Sequence, residues 1–305
     1  MAGKKNKPGG GGANGYHDID ADAVISVDEV TRQAEAMAEG VSLEKVAELA
    51  NNAPFVSIEH LNAGYGKMEI LHDFNMQVAR KQSLCLIGPN GAGKSTILHS
   101  IFGFTNIFGG KILVGDGDDK RDITALSSSE KLKNAGIAYI LQDKSVFPNM
   151  TALENVRIAL QRRRGDSFDF WRSEKVLARF ESDAQRLLAD VGLTEFAATR
   201  AAELPYGRKR ALEIATTLAL DPEMLLLDEP MAGMGREDVE RIAALIRRVS
   251  KNRTILMVEH NLSVVADLSD RITVLARGEI LAEGDYAAVS RSPEVIEAYI
   301  GADHE

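Results

Sequence analysis

Cysteine is almost absent from the chain, since Cys85 is the only one among 305 residues. A single cysteine excludes an internal disulfide and is typical of a protein kept in a reducing compartment. Long apolar runs are absent too, and none approaches the roughly 20 residues of a membrane-spanning helix. Lys4, Lys5 and Lys7 are followed by glycines and acidic residues, not by the apolar stretch of a signal peptide. These features predict a soluble, cytoplasmic chain, and any membrane link must come through a partner.

Basic residues are fewer than acidic residues. The chain has 36 lysines and arginines against 45 aspartates and glutamates, which gives a formal net charge of −9. This balance argues against a general affinity for nucleic acid, because the phosphates attract basic surfaces. The hydrophobic content of 45% is enough for a well-buried core, and the length suits one large α/β domain or two small ones.

The most informative motif is a glycine-rich segment at residues 88–95, with the sequence GPNGAGKS. It fits G-x-x-x-x-G-K-[ST], the pattern of a phosphate-binding loop. An apolar run at 83–87 predicts a buried strand before it, and residues 96–101 predict a helix after it. In that context Gly91 and Gly93 let backbone N–H groups face a β-phosphate at a helix N-terminus. Lys94 is then expected to reach the β- and γ-phosphates, and the Ser95 hydroxyl to ligate Mg²⁺.

Residues 1–54 are predicted to form a separate, net acidic extension. Residues 1–15 are rich in Lys, Gly and Asn, which favours disorder. Capping-box spacing at 26–29 predicts a short helix over about 27–39, and Ser42 predicts the start of another over 43–50. Isolated helices this short are weak in water. We therefore prefer a solvated tail with one or two marginal helices, and a docking or regulatory arm is the alternative.

The compact domain is predicted to cover residues 55–302. Segments 55–59 and 73–78 alternate like half-buried strands, and 109–119 predicts a strand with a hairpin turn. The apolar run at 135–141 predicts another buried strand, and those at 223–227 and 253–258 predict central strands of a parallel sheet. Residues 237–250 predict an amphipathic helix, and 271–283 a last strand pair. Residues from about 151 to 201 are predicted to be mostly helical, with a charged loop at 161–166.

Two acids follow the apolar run at 224–227, in the pattern known as Walker B. Asp228 is expected to hold Mg²⁺ through its water shell, and Glu229 to polarise the attacking water. Acidic pairs are common at strand ends. The combination with a phosphate-binding loop is what favours the catalytic interpretation.

With these motifs in this order, the chain resembles the nucleotide-binding subunit of an ATP-binding cassette (ABC) transporter over roughly residues 55–302. The resemblance implies an α/β fold of the P-loop NTPase type, with a RecA-like core, an antiparallel β subdomain and an α-helical subdomain at about 143–205. It implies hydrolysis of ATP to ADP and phosphate, with ATP and Mg²⁺ bound. The implied ATP-binding residues are Tyr65, Gly88, Pro89, Asn90, Gly91, Ala92, Gly93, Lys94, Ser95 and Thr96.

Three polar or aromatic residues take roles from the resemblance alone. Tyr65 matches an aromatic that stacks on adenine, Gln142 a glutamine that contacts Mg²⁺ and water, and His260 a histidine that contacts the γ-phosphate. Each is alternatively an ordinary residue at a turn or strand end, and their occurrence in the family's order favours the functional interpretation. The implied catalytic residues are Glu229, His260, Gln142 and Lys94. The implied metal-binding residues are Ser95, Gln142 and Asp228.

The family also carries a signature motif, usually similar to L-S-G-G-Q, which closes over the ATP of the opposite subunit. Here the matching residues are Pro205, Tyr206, Gly207 and Arg208. Gly207 keeps a backbone N–H at a helix start, Pro205 removes a hydroxyl, and Arg208 is expected to add charge. Gly235 replaces the family's common Asp and cannot make its cross-subunit contact. We hypothesise that the ATP site completed by this signature is the less active of two.

Residues 205–214, 228–234 and 293–301 resemble those of ATPases in branched-chain amino acid importers, a branch that also serves urea, short amides and related polar solutes. The implied partners are a second, distinct ATPase in a heterodimer, two transmembrane permeases and, indirectly, a periplasmic binding protein. The chain would lie on the cytoplasmic face of the inner membrane, without nucleic acid. Residues 143–200 match the surface for a permease coupling helix; Phe147 and Met150 either contact it or pack internally.

Two other functions stay open. One is a non-transport ABC protein, such as a soluble regulator or a DNA-associated ATPase. The single cassette, the acidic balance and the lack of a long coiled-coil insertion argue against it. The other is an ABC ATPase for another cargo, such as lipopolysaccharide export, which the signature variant and the ending at 299–301 disfavour. Substrate choice resides in the permeases and the binding protein, so the sequence does not identify the cargo.

Overall fold

The computed structural model of the chain describes residues 54–115, 117–140, 146–163 and 180–295. The predictions for residues 1–53, for Gln142 and for the ending after residue 295 lie outside the described residues. The described part contains two β-sheets and eight α-helices, with short 3₁₀ turns at Gly117–Asp119, Thr194–Phe196 and Ala201–Glu203.

The first sheet is antiparallel and has four strands in the order β2-β1-β4-β5. They are β1 (Pro54–Tyr65), β2 (Met68–Ala79), β4 (Asn106–Val114) and β5 (Arg121–Asp122). The predicted alternation at the start of β1 is wrong, because Phe55, Val56, Ser57 and Ile58 are all buried. Both faces of this strand are covered there. The Arg80 guanidinium, for example, lies 4.8 Å from the centre of the Phe55 ring.

The second sheet has six strands in the order β10-β9-β3-β8-β7-β6. They are β3 (Ser83–Ile87), β6 (Ile137–Ile140), β7 (Met224–Asp228), β8 (Thr254–Val258), β9 (Arg271–Ala276) and β10 (Glu279–Gly284). All neighbours are parallel except β9 and β10, which form the predicted final hairpin. Every residue of β3 and β8 is buried, as continuous apolar runs predict. Parallel strands end at the same edge of a sheet, so the loops after β3, β7 and β8 meet there.

The α-helices in chain order are α1 (Lys94–Phe102), α2 (Ser128–Ala135), α3 (Ala152–Arg163), α4 (Glu181–Asp190), α5 (Tyr206–Leu218), α6 (Arg236–Ser250), α7 (Leu262–Leu268) and α8 (Tyr286–Ser290). The helix predicted at 237–250 is confirmed as α6. The start of the charged loop predicted at 161–166 is wrong, because α3 continues through residue 163. Residues 164–166 lie outside the described residues. Arg162 and Arg163 occupy its last turn, where positive charge is favourable to the helix dipole, and Arg163 pairs with Asp221.

The parallel sheet separates two apolar clusters, and its side chains alternate between them. Leu225 and Leu227 point into a cluster shared with α3 to α7, whereas Met224 and Leu226 point into one shared with α1 and the antiparallel sheet. This two-sided burial holds the carboxyl edge of the sheet in place. Among the described helices, none has the length and apolar character to span a bilayer.

Candidate functional site

The loop at residues 88–93 joins β3 to α1 at the carboxyl edge of the parallel sheet. Gly88, Gly91 and Gly93 all have positive φ angles, of 144°, 80° and 96°. No side chain caps the first turn of α1. The backbone N–H groups of an uncapped first turn are a ready binding site for an anion. The local geometry is therefore that of a phosphate-binding loop.

Lys94 begins α1 and folds back over this loop. Its Nζ donates to the carbonyl oxygens of Gly88, at 2.7 Å, and Pro89, at 2.9 Å. Burial lowers the pKa of the Lys94 ammonium, and the nearby Glu229 and Asp228 carboxylates oppose that shift. The side chain is thus a buried donor lying beside the loop that would hold the phosphates.

Ser95 and Asp228 meet directly although they come from different elements. The Ser95 Oγ donates to Asp228 Oδ1 at 3.2 Å, and the Tyr139 hydroxyl donates to Asp228 Oδ2 at 3.1 Å. Ser95 and Asp228 offer oxygen ligands, which Mg²⁺ prefers. Mg²⁺ usually keeps several waters and substrate phosphates besides one or two protein oxygens. The two residues therefore fit Mg²⁺. Gln142, the third predicted ligand, lies outside the described residues.

Glu229 and His260 form a pair at the ends of β7 and β8. His260 Nε2 lies 2.8 Å from Glu229 Oε1, and both side chains are partly exposed. The backbone of Glu229 is in the left-handed region, with φ of 43°, and its N–H donates to the carbonyl oxygen of Val258 at 3.0 Å. This turn directs the carboxylate away from the strand toward the histidine. The arrangement gives an accessible base whose orientation is fixed by a second polar group.

Glu259 belongs to the same edge and was not predicted from the sequence. Its side chain is 4% exposed, and its carboxylate accepts hydrogen bonds from the backbone N–H groups of Met231, at 3.1 Å, and His260, at 3.2 Å. Burial raises its pKa, and these N–H groups oppose the rise. Glu259 thus ties the loop after β7 to the end of β8. An acid ending a fully buried strand was the only signal for it in the sequence.

Tyr65 ends β1 and is brought from the antiparallel sheet to the side of α1. Its ring is 42% exposed, which leaves a face for a ligand. Its hydroxyl lies 2.5 Å from Nδ1 of His99, a residue of α1 that was not predicted as part of the site. The structure therefore brings together Tyr65, Lys94, Ser95, Asp228, Glu229 and His260.

Comparison with known proteins agrees with this geometry. The pattern of the family described as ABC transporter matches residues 71–232. The high-affinity branched-chain amino acid transport ATP-binding protein BraF of Pseudomonas aeruginosa is 34% identical over 258 residues, which cover 81% of this chain and 98% of BraF. The chain belongs to the ABC transporter family of ATP-binding proteins. ABC cassettes are ATPases coupled to transport, so the predicted ATPase activity is confirmed.

Further relatives of this ABC protein agree. LivG of Escherichia coli, with the same descriptive name as BraF, is 32% identical over 255 residues, covering 81% of this chain and 98% of LivG. The solved ATP-binding cassette MJ1267 of an ABC transporter has a TM-score of 0.69 and 27% identity, and the match covers 81% of this chain and 99% of that one. Its ADP conformation has a TM-score of 0.68. These matches confirm the predicted α/β fold of a P-loop ABC cassette.

Residues at the C-terminal end of the ABC protein match a second family pattern. The pattern of the family described as branched-chain amino acid ATP-binding cassette transporter covers residues 279–305. It begins at β10, the edge strand of the parallel sheet. The resemblance to this branch, predicted from the sequence, is thereby confirmed.

The segment predicted to be the family's signature lies at the start of α5. Pro205 is the N-cap of this helix, and Tyr206 is 48% exposed. A side chain at Gly207 would begin 2.3 Å from the carboxyl carbon of Asp238. The Arg208 guanidinium donates to the carbonyl oxygen of Gly192 at 2.8 Å and lies 5.0 Å from the centre of the Phe196 ring. The charge expected from Arg208 is therefore held against its own helical region.

Proposed function

We propose that this chain is the ATP-hydrolysing subunit of an ABC importer for branched-chain amino acids or related polar solutes such as urea and amides. The proposal that the chain hydrolyses ATP rests on one observation: Ser95, Asp228 and the Glu229–His260 pair meet at one edge of the parallel sheet. The importer part is supported by BraF and LivG, whose names describe branched-chain amino acid transport, and by the match at 279–305.

ATP would bind with its phosphates on the loop at 88–93 and its base against Tyr65. The Lys94 ammonium would exchange the carbonyl oxygens of Gly88 and Pro89 for β- and γ-phosphate oxygens. This exchange needs only a side-chain movement, and it replaces neutral acceptors with charged ones, which make stronger hydrogen bonds. The phosphate charge would also offset the burial that lowers the pKa of Lys94.

Ser95 and Asp228 would hold Mg²⁺, together with Gln142. When bound, Mg²⁺ would neutralise charge on the β- and γ-phosphate oxygens. Tyr139 contributes by donating to Asp228 Oδ2, which fixes the carboxylate with Oδ1 toward Ser95. The protein thus supplies two oriented oxygens and leaves the other positions to water and substrate.

Glu229 would act on the attacking water. Its carboxylate would orient the water and accept its proton while the water oxygen attacks the γ-phosphorus and the bond to the bridging oxygen of ADP breaks. His260, as the Nε2–H tautomer, would donate to Glu229 and steady its carboxylate at 2.8 Å. The same imidazole would contact the γ-phosphate once ATP is bound.

The partners we propose are a second ABC ATPase, two transmembrane permeases and, indirectly, a periplasmic binding protein, at the cytoplasmic face of the inner membrane. A cleft of about 550 Å³ lies beside α3 and is lined in part by Phe147, Ile158 and Leu220. The Phe147 backbone is held by Asn155, at 2.7 Å and 3.1 Å, while its side chain stays 53% exposed. A fixed backbone presenting an exposed aromatic ring favours docking of a permease helix over internal packing.

The alternatives named from the sequence are less favoured. Neither lipopolysaccharide export nor a non-transport role is supported by a feature of the described residues. The match at the C-terminal end and the two relatives all point to the amino acid branch instead.

The assembly is tested by purifying the tagged chain from detergent-solubilised membranes and identifying the co-purified proteins by mass spectrometry. We expect two permeases and a second ATPase. Recovery of the chain alone, or with non-membrane partners, would contradict the importer proposal.

The chemistry is tested by Glu229→Gln, with the exposed Glu240→Gln as the matched control. We expect Glu229→Gln to lower the ATPase rate by about 10²- to 10⁴-fold, as loss of a general base does, while ATP binding is retained. Glu240→Gln should keep the wild-type rate. Equal rates in the two variants would refute the role of Glu229.

A further inference from the structure

A chain of hydrogen bonds connects the side of the site that would hold adenine to the side that would hold Mg²⁺. The Tyr65 hydroxyl lies 2.5 Å from His99 Nδ1, and His99 Nε2 lies 3.1 Å from the Tyr139 hydroxyl. Tyr139 then donates to Asp228 Oδ2 at 3.1 Å. We call these four residues the His99 bridge. It joins β1, α1, β6 and β7, and thus the antiparallel sheet to the parallel one.

The direction of each hydrogen bond in the bridge follows from the number of protons available. Tyr139 has one hydroxyl proton, which it donates to the Asp228 carboxylate. Its oxygen therefore accepts from Nε2–H of His99, and the bare Nδ1 of the neutral imidazole accepts from Tyr65. Every link is satisfied by this single tautomer. The bridge therefore has one defined arrangement.

His99 lies in a cluster of aromatic rings. Its imidazole is surrounded by the rings of Tyr65, Phe104 and Tyr139, with centres 6.1, 5.8 and 5.6 Å away. Burial lowers the pKa of His99, and the Asp228 charge opposes that shift. The neutral form that the hydrogen bonds require is thus also the form that the surroundings favour. A half-buried ring with both nitrogens engaged can transmit an orientation from one neighbour to the other.

We propose that His99 is a positioning residue that orients Tyr65 for the base and, through Tyr139, orients Asp228 for Mg²⁺. The inference rests on the proposed function, because it assigns Tyr65 and Asp228 their places around ATP. Coupling between two sites is reciprocal. Binding of the base should therefore strengthen Mg²⁺ binding, and loss of His99 should weaken both.

The experiment measures two quantities by ATP binding to the purified chain. One is the Mg²⁺ requirement, which is the Mg²⁺ concentration for the half-maximal effect on ATP binding, and the other is the dissociation constant for ATP in EDTA. His99→Leu breaks both links and should worsen both. We expect about a tenfold increase in the Mg²⁺ requirement, since loss of an outer hydrogen-bond partner costs roughly 10- to 100-fold in metal affinity. Tyr139→Phe breaks only the metal side, so only the Mg²⁺ requirement should rise.

Two further variants separate positioning from simple packing. His99→Gln keeps a donor toward Tyr139 and should restore the Mg²⁺ requirement without restoring Mg²⁺-free ATP binding. Phe104→Leu disturbs the same ring cluster without removing a hydrogen bond of the bridge, and both quantities should stay near wild type. Thermal melting of each variant shows whether it is folded. If His99→Leu is not folded, the more conservative Tyr139→Phe still tests the metal side of the bridge.

The outcomes are distinct. If His99→Leu and Tyr139→Phe match the wild type in both quantities, or if Phe104→Leu loses as much as His99→Leu, the positioning role is wrong and the proposed function stands. If the wild-type chain does not bind ATP, the proposed function fails and the inference with it.

Discussion

Alanine at Gly88 is expected to damage the phosphate-binding loop far more than alanine at Gly91, although both glycines have positive φ angles. At Gly91 an added Cβ would meet no atom within 4 Å. At Gly88 it would lie 2.1 Å from the backbone carbonyl oxygen of Leu275. That carbonyl belongs to β9, which pairs with β3 directly before the loop, so neither backbone can move aside without disturbing the sheet.

The magnitudes follow from these two environments. Gly91→Ala pays only for the left-handed backbone, about 1–2 kcal/mol. Gly88→Ala adds an overpacking cost of about 1–3 kcal/mol to a similar strain, so we expect a loss of roughly 2–5 kcal/mol in all. For a domain of this size 1 kcal/mol corresponds to about 2–4 °C in Tm. The difference between the two variants is then several degrees.

Thermal and urea unfolding of the two variants, followed by circular dichroism, measure this difference. ATP binding by the folded fraction gives a second readout, since a displaced loop loses its backbone donors. If Gly88→Ala and Gly91→Ala lose the same free energy of unfolding, the contact with Leu275 does not decide the role of Gly88.

Three further changes have defined outcomes. In Glu213→Gln the free energy of unfolding should fall by about 3 kcal/mol, because the change removes one partner of the buried Arg210–Glu213 ion pair, which lies at 2.8 Å with both side chains nearly inaccessible. A urea melt matching wild type would contradict this. Burial lowers the pKa of Lys131 to about 8 from 10.5. Between pH 8 and 10.5 the unfolded chain therefore binds a proton that the folded chain does not. In this range the free energy of unfolding should rise with pH by at most about 1.4 kcal/mol per pH unit. Lys131→Met should abolish that rise in urea melts across this range. Gly235→Asp adds a side chain at the N-cap of α6, where nothing lies within 4 Å of the new Cβ. Because Asp is a better N-cap than Gly, the free energy of unfolding should rise by a few tenths of a kcal/mol. A loss above about 1 kcal/mol would contradict this prediction.

Local patterns were sufficient for the central part of the fold. The apolar runs of β3, β7 and β8 predicted buried parallel strands because such strands are covered on both faces. Parallel strands finish at one edge, which is why the residues that follow β3, β7 and β8 lie close together. Ser95 and Asp228 are 133 positions apart in the chain, yet their contact follows from that rule.

Long-range packing decided what the sequence left open. His99 is one of several polar residues in α1, and nothing local indicates that it lies beside Tyr139 or Tyr65, at separations of 40 and 34 residues. Glu259 carries no pattern beyond a strand end, because its partners come from the loop after β7. The burial of Phe55 at the start of β1 likewise involves Arg80, which follows the next strand.

The surface that would serve a partner's ATP is less well equipped than the site for this chain's own. At the signature, the backbone N–H groups of α5 remain, but the Asp238 carboxylate lies against Gly207 and brings negative charge to the helix start. An acid there opposes an approaching γ-phosphate. Arg241 pairs with Asp238 and offsets part of this charge, whereas Arg208 is engaged with its own helical region.

The asymmetry leads to a comparison within the heterodimer that we propose. In that heterodimer Glu229 would serve the site built on this chain's own loop, whereas the equivalent glutamate of the second ATPase would serve the site closed by the signature at Gly207. Because Gly235 also lacks a side chain for a cross-subunit contact, the second site should contribute less to turnover. Glu229→Gln in this chain should therefore reduce the ATPase rate of the assembly more than the equivalent change in the partner. Equal losses from the two changes would show that the altered signature leaves its site fully active.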